Sequence, residues 1–277
     1  MCIFCLLFWG SILCAGTYAQ SSPEIPLTYE STMAGIGSTS IYDTYLSPLE
    51  YKGNHIGVIL EQMNRSGLLN GRILAQHLFN LEIADTKNPS GTAGNYSGNL
   101  EYAYGLYYRF KPVDKIQFFA GMQADGLLGV IYNNRNGNNP VAGKVNLNLN
   151  VSGMVSYKFR IKKQPLQLRY QLNIPVAGCL FSPQFGQSYY EIGLGDHQRI
   201  LHFASLHNQR IMRNLFSLEL PLNSTIVRLS YMNGIYETRV NHLDTRIVSH
   251  SFYIGFSKNF YVVHKKDNKK NYRHVFE

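Results

Sequence analysis

The sequence predicts an all-β fold: an antiparallel up-and-down transmembrane β-barrel of about ten strands, within a range of roughly 8 to 12. Three observations carry this. Between Gly143 and Phe159, residues Val145, Leu147, Leu149, Val151, Val155, Tyr157 and Phe159 share one parity, while Asn146, Asn148, Asn150, Ser152, Ser156 and Lys158 share the other. That period of two can be used only by an extended chain. Similar segments recur, joined alternately by short turns and long polar loops. Charged residues make up 16% of the chain, against about 25% in soluble domains, and no run beyond the first twenty residues reaches the roughly 18 apolar residues of a spanning helix. Insertion into a bilayer would therefore be by strands.

Residues 1–19 read as a secretory signal peptide, an uncharged apolar run ending in Ala15-Gly16-Thr17-Tyr18-Ala19 ahead of Gln20. The run lacks the usual basic start, so an uncleaved anchor is the alternative. Lipoprotein processing at Cys14 is a poorer fit, because Ser11-Ile12-Leu13 precedes it. Cys2, Cys5 and Cys14 leave with the leader, as does the sole tryptophan, Trp9. Cys179 then remains alone, and an intramolecular disulfide is excluded. Residues 20–261 are expected to form the barrel and 262–277 a basic periplasmic tail. The net charge is +9, concentrated in part in that tail at Lys265, Lys266, Lys269, Lys270 and Arg273. Such an end suits solvent or acidic lipid headgroups. No nucleic-acid partner is expected, since neither a reading helix nor a stacking motif accompanies the charge.

Taken in order, a first strand is expected over Thr32 to Tyr45, Gly- and Ser-rich and of uncertain parity, then a turn at Ser47-Pro48-Leu49-Glu50. The second, Gly53 to Asn64, sets Ile56, Val58 and Leu60 against Gly57, Ile59 and Glu61. After a turn over Ser66 to Gly71, the third, Arg72 to Ala84, sets Ile73, Ala75, Phe79, Leu81 and Ile83 against Gln76, Asn80 and Glu82. Asp85 to Asn95 is a loop. The fourth sets Leu100, Tyr102, Tyr104, Leu106, Tyr108 and Phe110 against Glu101, Ala103, Gly105, Tyr107 and Arg109. A turn over Lys111 to Lys115 leads to the fifth, with Phe118, Ala120, Met122 and Ala124 against Gln117, Phe119, Gly121, Gln123 and Asp125. Asn133 to Pro140 is a second long loop. The central hairpin follows, turning at Arg160 to Gln164 and returning through Leu166, Leu168, Tyr170, Leu172 and Ile174. A third long connection spans Pro175 to His207. Strands over Met212 to Leu220, Thr225 to Tyr236 and Arg246 to Phe260 complete the series.

The turns at Lys111, Arg160 and Pro221 fall on one rim and the loops near Asn88, Asn136 and Gly186 on the other, the asymmetry of outer-membrane barrels. Tyr108, Phe110, Phe118, Tyr157, Phe159, Phe256 and Phe260 share the apolar parity beside the short-turn rim, as an interfacial girdle would. A soluble calyx would show the same alternation with the faces exchanged. Strand length, low charge, loop asymmetry, leader and girdle together favour the bilayer.

On these features the chain resembles the small β-barrel outer-membrane proteins of Gram-negative bacteria, and more particularly is similar to uncharacterised barrel families known only as domains of unknown function. The likeness covers nearly all of the mature chain and rests on pattern, with no diagnostic motif. It implies an outer-membrane location after export, with outer-membrane lipid and the barrel-assembly machinery as partners. The chain departs from such barrels in running on from Val262 to Glu277, so that either Phe260 or Phe276 stands as the terminal aromatic.

If the polar parity lines the lumen, Glu61, Glu82, Glu101, Asp125 and Glu219 share a narrow interior with Arg109, Lys158, Arg169 and Arg228, and Asn146, Asn148 and Asn150 add amides. Side chains fill a barrel of this size, so the set is read first as a structural network and second as a narrow charge-lined path for solutes. The long connection offers Asp196, His197, His202, Ser205 and His207, residue types found in outer-membrane hydrolases, but no complete catalytic motif. Their spacing is poor for a metal. Neither a metal nor a cofactor is expected, and P-loop and dinucleotide fingerprints are lacking. Phe181, Phe185, Tyr189 and Tyr190 in the same stretch suit either a plug at the mouth or an extracellular glycan or protein contact. The reading is a non-enzymatic outer-membrane barrel, an envelope component or narrow channel. The alternatives are an outer-membrane hydrolase and a secreted barrel binding an apolar ligand.

Overall fold

The structure, a computed structural model, describes residues 27–66, 68–162, 164–195, 199–222 and 225–261. The leader and the tail beyond Tyr261 lie outside the described residues. The strands are β1 (Leu27–Asp43), β2 (Ser47–Ser66), β3 (Ile73–Lys87), β4 (Gly94–Val113), β5 (Ile116–Asn133), β6 (Val141–Ile161), β7 (Gln164–Phe181), β8 (Leu201–Ala204), β9 (Gln209–Leu222), β10 (Thr225–Val240) and β11 (Leu243–Tyr261). A single 3-10 turn, Leu68–Gly71, follows β2, and a short helix α1, Tyr189–Gly193, follows β7.

Each strand pairs antiparallel with its neighbour, and β1 pairs with β11 over its whole length, from Leu27↔Tyr261 to Asp43↔Thr245. The sheet is thereby a closed ten-strand barrel with an extra strand. That extra strand, β8, pairs Gly178 to Phe181 of β7, while β9 pairs Gln167 to Asn173. The two are collinear pieces of one barrel strand, interrupted at Ser205 to Asn208. Closure leaves no sheet edge facing hydrocarbon.

Parity decides the faces. Leu147, Leu168 and Phe252 are 60%, 43% and 67% exposed, whereas Asn146, Asn150, Arg169 and Ser251 are buried. The apolar face is outside, and the calyx alternative would require the reverse. On β4, β5 and β6, Phe110 pairs with Phe118 and Ile116 with Tyr157, which places the lower aromatics in one band beside the short turns. The side chain of Phe260 lies outside the described residues. Polar groups that do face outward satisfy one another. Tyr170 donates to Asn214 Oδ1 at 2.8 Å, and Tyr231 Oη lies 2.7 Å from His250 Nδ1. In hydrocarbon no water would do this for them.

Several boundaries correct the sequence expectation. β1 begins at Leu27 rather than Thr32, and its turn occupies 44–46, so that Ser47 to Glu50 belong to β2. β10 and β11 run on to meet at Asn241 and His242, both at positive φ (55° and 61°), the two-residue hairpin geometry that Asn favours. β7 continues through Pro175 to Phe181, with a register shift where Asn150 faces Pro175 and Leu149 faces Ala177. Proline has no N–H for the ladder, and the bulge absorbs that loss.

Val151 lies on the outward apolar face in the middle of β6. Val151→Arg is expected to cost about 2–4 kcal/mol in reversible unfolding from lipid vesicles, the midplane penalty for a guanidinium.

Candidate functional site

The lumen is filled in layers. Toward the short-turn rim, Tyr29, Met63, Leu74, Tyr107, Phe119 and Met154 pack together, and above them Met33, Ile59, Leu78, Ala103, Leu215, Met232 and Tyr253 do the same. These apolar residues sit on the predominantly polar parity. Tyr253 leans over Gly57, whose absent Cβ would come within 2.5 Å of its hydroxyl, so the ring crosses the lumen only because that position is glycine.

A buried ionic belt threads the lower layer. Glu61 accepts from Arg169 at 2.5 Å, from Gln76 at 2.5 Å and from Arg228. Glu219 accepts from Tyr29 at 2.6 Å and faces Arg169 and Arg228 at 3.9 and 4.0 Å. Arg228 also donates to Ser217 at 2.9 Å, and the Arg169 guanidinium lies 5.5 Å from the centre of the Tyr29 ring. Gln76 continues the belt to Gln171 at 2.9 Å, and Tyr107 bonds Gln76 and Ser152 at 2.8 and 2.9 Å. Side chains from opposite walls therefore meet across the axis. Burying two guanidinium and two carboxylate groups is costly unless each has partners, which these have.

Higher in the barrel Glu101 pairs with Arg213, which donates through both terminal nitrogens. Asp125 accepts from Asn148 at 2.9 Å and from Asn150. A cavity of about 80 Å³ lies between these walls, lined also by Asn80, Glu82 and Lys144. Above it Lys144 reaches Asp43 at 2.5 Å, and Ile41, Leu46, Ile131 and Ala142 pack at the mouth.

The expected lumenal set thus divides in two. Glu61, Arg169, Glu219 and Arg228 form the belt; Glu101, Asp125 and Asn148 border the upper cavity. Arg109 and Lys158 lie by the short-turn rim, where their backbone N–H groups bond Arg72 O and Lys115 O. Sequence reading missed Tyr29, just outside the expected first strand, Arg213, at the start of the expected Met212 to Leu220 strand, and Lys144 with its partner Asp43.

In the long connection, Asp196 and His197 lie outside the described residues. His202 Nε2 is 2.6 Å from Arg199 O, and His207 Nδ1 is 2.5 Å from Ser205 Oγ. The nearby Asp244 is engaged by Arg239 at 2.8 Å, so the Ser205–His207 pair has no carboxylate orienting it among the described residues. No group of three or more His, Cys, Asp or Glu able to hold a metal occurs among them either. Tyr189 folds back over the mouth, its hydroxyl accepting from Gly143 N at 2.5 Å and its ring edge-on to Tyr45 at 5.8 Å. Burial, then Tyr189 and Asp43, push the Tyr45 phenol up to about 12, so it remains a neutral donor to Gln187 O at 2.9 Å. A capping box between Ser188 and Glu191 fixes α1 behind it. Phe185 and Tyr190 stay exposed.

A family model described as a protein of unknown function (DUF3316) matches residues 1–267. The chain belongs to the DUF3316 family. No curated protein matches it. Among solved structures, the outer-membrane protease OmpT from Escherichia coli is similar at 9% identity and TM-score 0.49, over 88% of this chain and 99% of that one. The translocator domain of the autotransporter NalP from Neisseria meningitidis is similar at 11% identity and TM-score 0.42, over 87% and 90%. The P. putida toluene transporter TodX is similar at 11% identity and TM-score 0.34, over 87% and 92%.

Glu61→Leu strands two buried guanidinium groups and is expected to cost about 3–5 kcal/mol in unfolding, the price of one broken buried pair. Glu61→Leu with Arg228→Met removes charge from both sides and is expected to recover part of that loss, measured as the coupling in a double-mutant cycle.

Proposed function

We infer that this chain is a non-enzymatic outer-membrane β-barrel whose lumen is closed by its own side chains, an envelope component rather than an open solute pore. The observation that carries this is the buried belt of Glu61, Arg169, Glu219 and Arg228, backed by two apolar layers across the same section. An aqueous channel needs continuous polar, hydrated space, and general porins use about 16 strands to obtain it. The outward apolar face supports a bilayer setting, and the arrangement of turns and loops supports the side with long connections as the outer one. In this reading residues 1–19 are an export leader, the barrel-assembly machinery inserts the strands, and the exposed Phe185 and Tyr190 are available for a glycan or protein contact outside.

Reconstituted in planar bilayers, the wild-type protein is expected to give no discrete conductance steps, while its gel mobility shifts on heating as a folded barrel's does. Stable wild-type openings would overturn the closed-lumen reading. Because Trp9 precedes the expected cleavage site, protein isolated from outer membranes is expected to lack tryptophan emission; such a signal would mean that the leader is retained.

A further inference from the structure

The upper cavity has an imbalance that the lower belt does not. Three carboxylates, Glu82, Glu101 and Asp125, border it with Arg213, and the other cation, Lys144, is taken by Asp43 at 2.5 Å. Arg213 is committed to Glu101, so Glu82 and Asp125 make no ion pair among the described residues. Their support comes from neutral donors. Asn80 Nδ2 donates to Glu82 at 3.3 Å and Asn148 Nδ2 to Asp125 at 2.9 Å.

That support has a consequence for the amides. With their N–H groups turned to the carboxylates, Asn80 and Asn148 are left with Oδ1 atoms that accept nothing among the described residues, although both side chains line the cavity and are only 6% exposed. A buried acceptor without a donor is unfavourable, and here two adjoin carboxylates that make no ion pair of their own among the described residues. With Arg213 paired to Glu101 and Lys144 to Asp43, the cavity is short of both a further cation and further N–H donors. A bare metal ion would answer only the charge, and the carboxylates do not converge into a metal-binding group. The volume of about 80 Å³ accommodates several waters or one small solute.

We propose that this chamber is a binding site for a small alkylammonium cation, a short diamine in its diprotonated form being the best fit, with ammonium groups donating to Glu82, Asp125 and the amide oxygens of Asn80 and Asn148. The assignment rests on the closed-lumen reading, because the belt below is what makes the chamber a pocket instead of a passage.

The test is equilibrium dialysis of the full chain, refolded in detergent, against labelled 1,3-diaminopropane, with 1,3-propanediol as the uncharged isostere and Ca²⁺ as the metal comparison. Dialysis reads equilibrium occupancy however slowly the roofed chamber fills. The expected result is saturable retention of the diamine, none of the diol, and about tenfold or greater weakening in Asp125→Asn and in Glu82→Gln, the loss of one charge-assisted contact. If Asp125→Asn fails to fold, judged by heat-modified migration, Glu82→Gln carries the same expectation and the diol comparison needs no variant. Equal retention of diamine and diol, retention unchanged in the folded variants, or tighter binding of Ca²⁺ than of the diamine would each overturn the assignment. Conductance is read separately. Diamine binding by a protein that conducts would sink the closed-lumen reading, whereas no binding by a silent protein would sink the chamber assignment alone.

Discussion

Backbone hydrogen bonding around a closed sheet governs this structure, and it is what a medium without water would demand. Every N–H and C=O at bilayer depth must find a partner within the protein, and a sheet does so only by closing on itself. The full-length pairing of β1 with β11 is that closure. It also fixes the strand number, and a barrel of about ten strands has an interior that side chains can bridge. The buried belt, the apolar layers and the small upper chamber all follow from that width.

Within this frame the two faces obey different rules. Outward positions need only be apolar, so Leu, Val, Ile and Phe are interchangeable there and the pattern is easy to see. Inward positions must fill a shared volume and satisfy one another's polar atoms. A guanidinium on β10 therefore depends on a carboxylate on β2 and a hydroxyl on β9. In the lower lumen two guanidinium groups face two carboxylates, although Glu219 Oε2 and Arg228 Nε make no hydrogen bond among the described residues. In the upper lumen the carboxylates outnumber the cations that line the cavity with them.

The fold was legible because period-two alternation survives across long strands such as Val141 to Ile161. Strand limits were less so. Pro175 reads locally as a terminator, yet a bulge carries β7 past it; Asn241-His242 is invisible as a turn until both residues are seen at positive φ. The lumen's composition was partly hidden for another reason. Met33, Met63, Met154 and Met232 occupy the inward parity as apolar plugs, and sequence alone cannot tell a plug from noise in the pattern. Arg213, the partner of Glu101, stands at the edge of the expected eighth strand, Met212 to Leu220, while parity alone sets Arg109 and Lys158 in one interior with Glu61 and Glu101 without regard to height in the barrel. Parity gives the face, and only register gives the level.

The central claim is that odd positions of β6 touch lipid and even ones the lumen. Spin labels placed singly from Val145 to Tyr157 in the protein reconstituted in vesicles measure this directly, through relaxation by oxygen dissolved in the bilayer and by a water-soluble nickel chelate. The account predicts oxygen accessibility rising and falling with a period of two, high at Leu147, Leu149 and Val151 and low at Asn148 and Asn150. Equal accessibility along the strand, or odd positions shielded from both reagents, would contradict it.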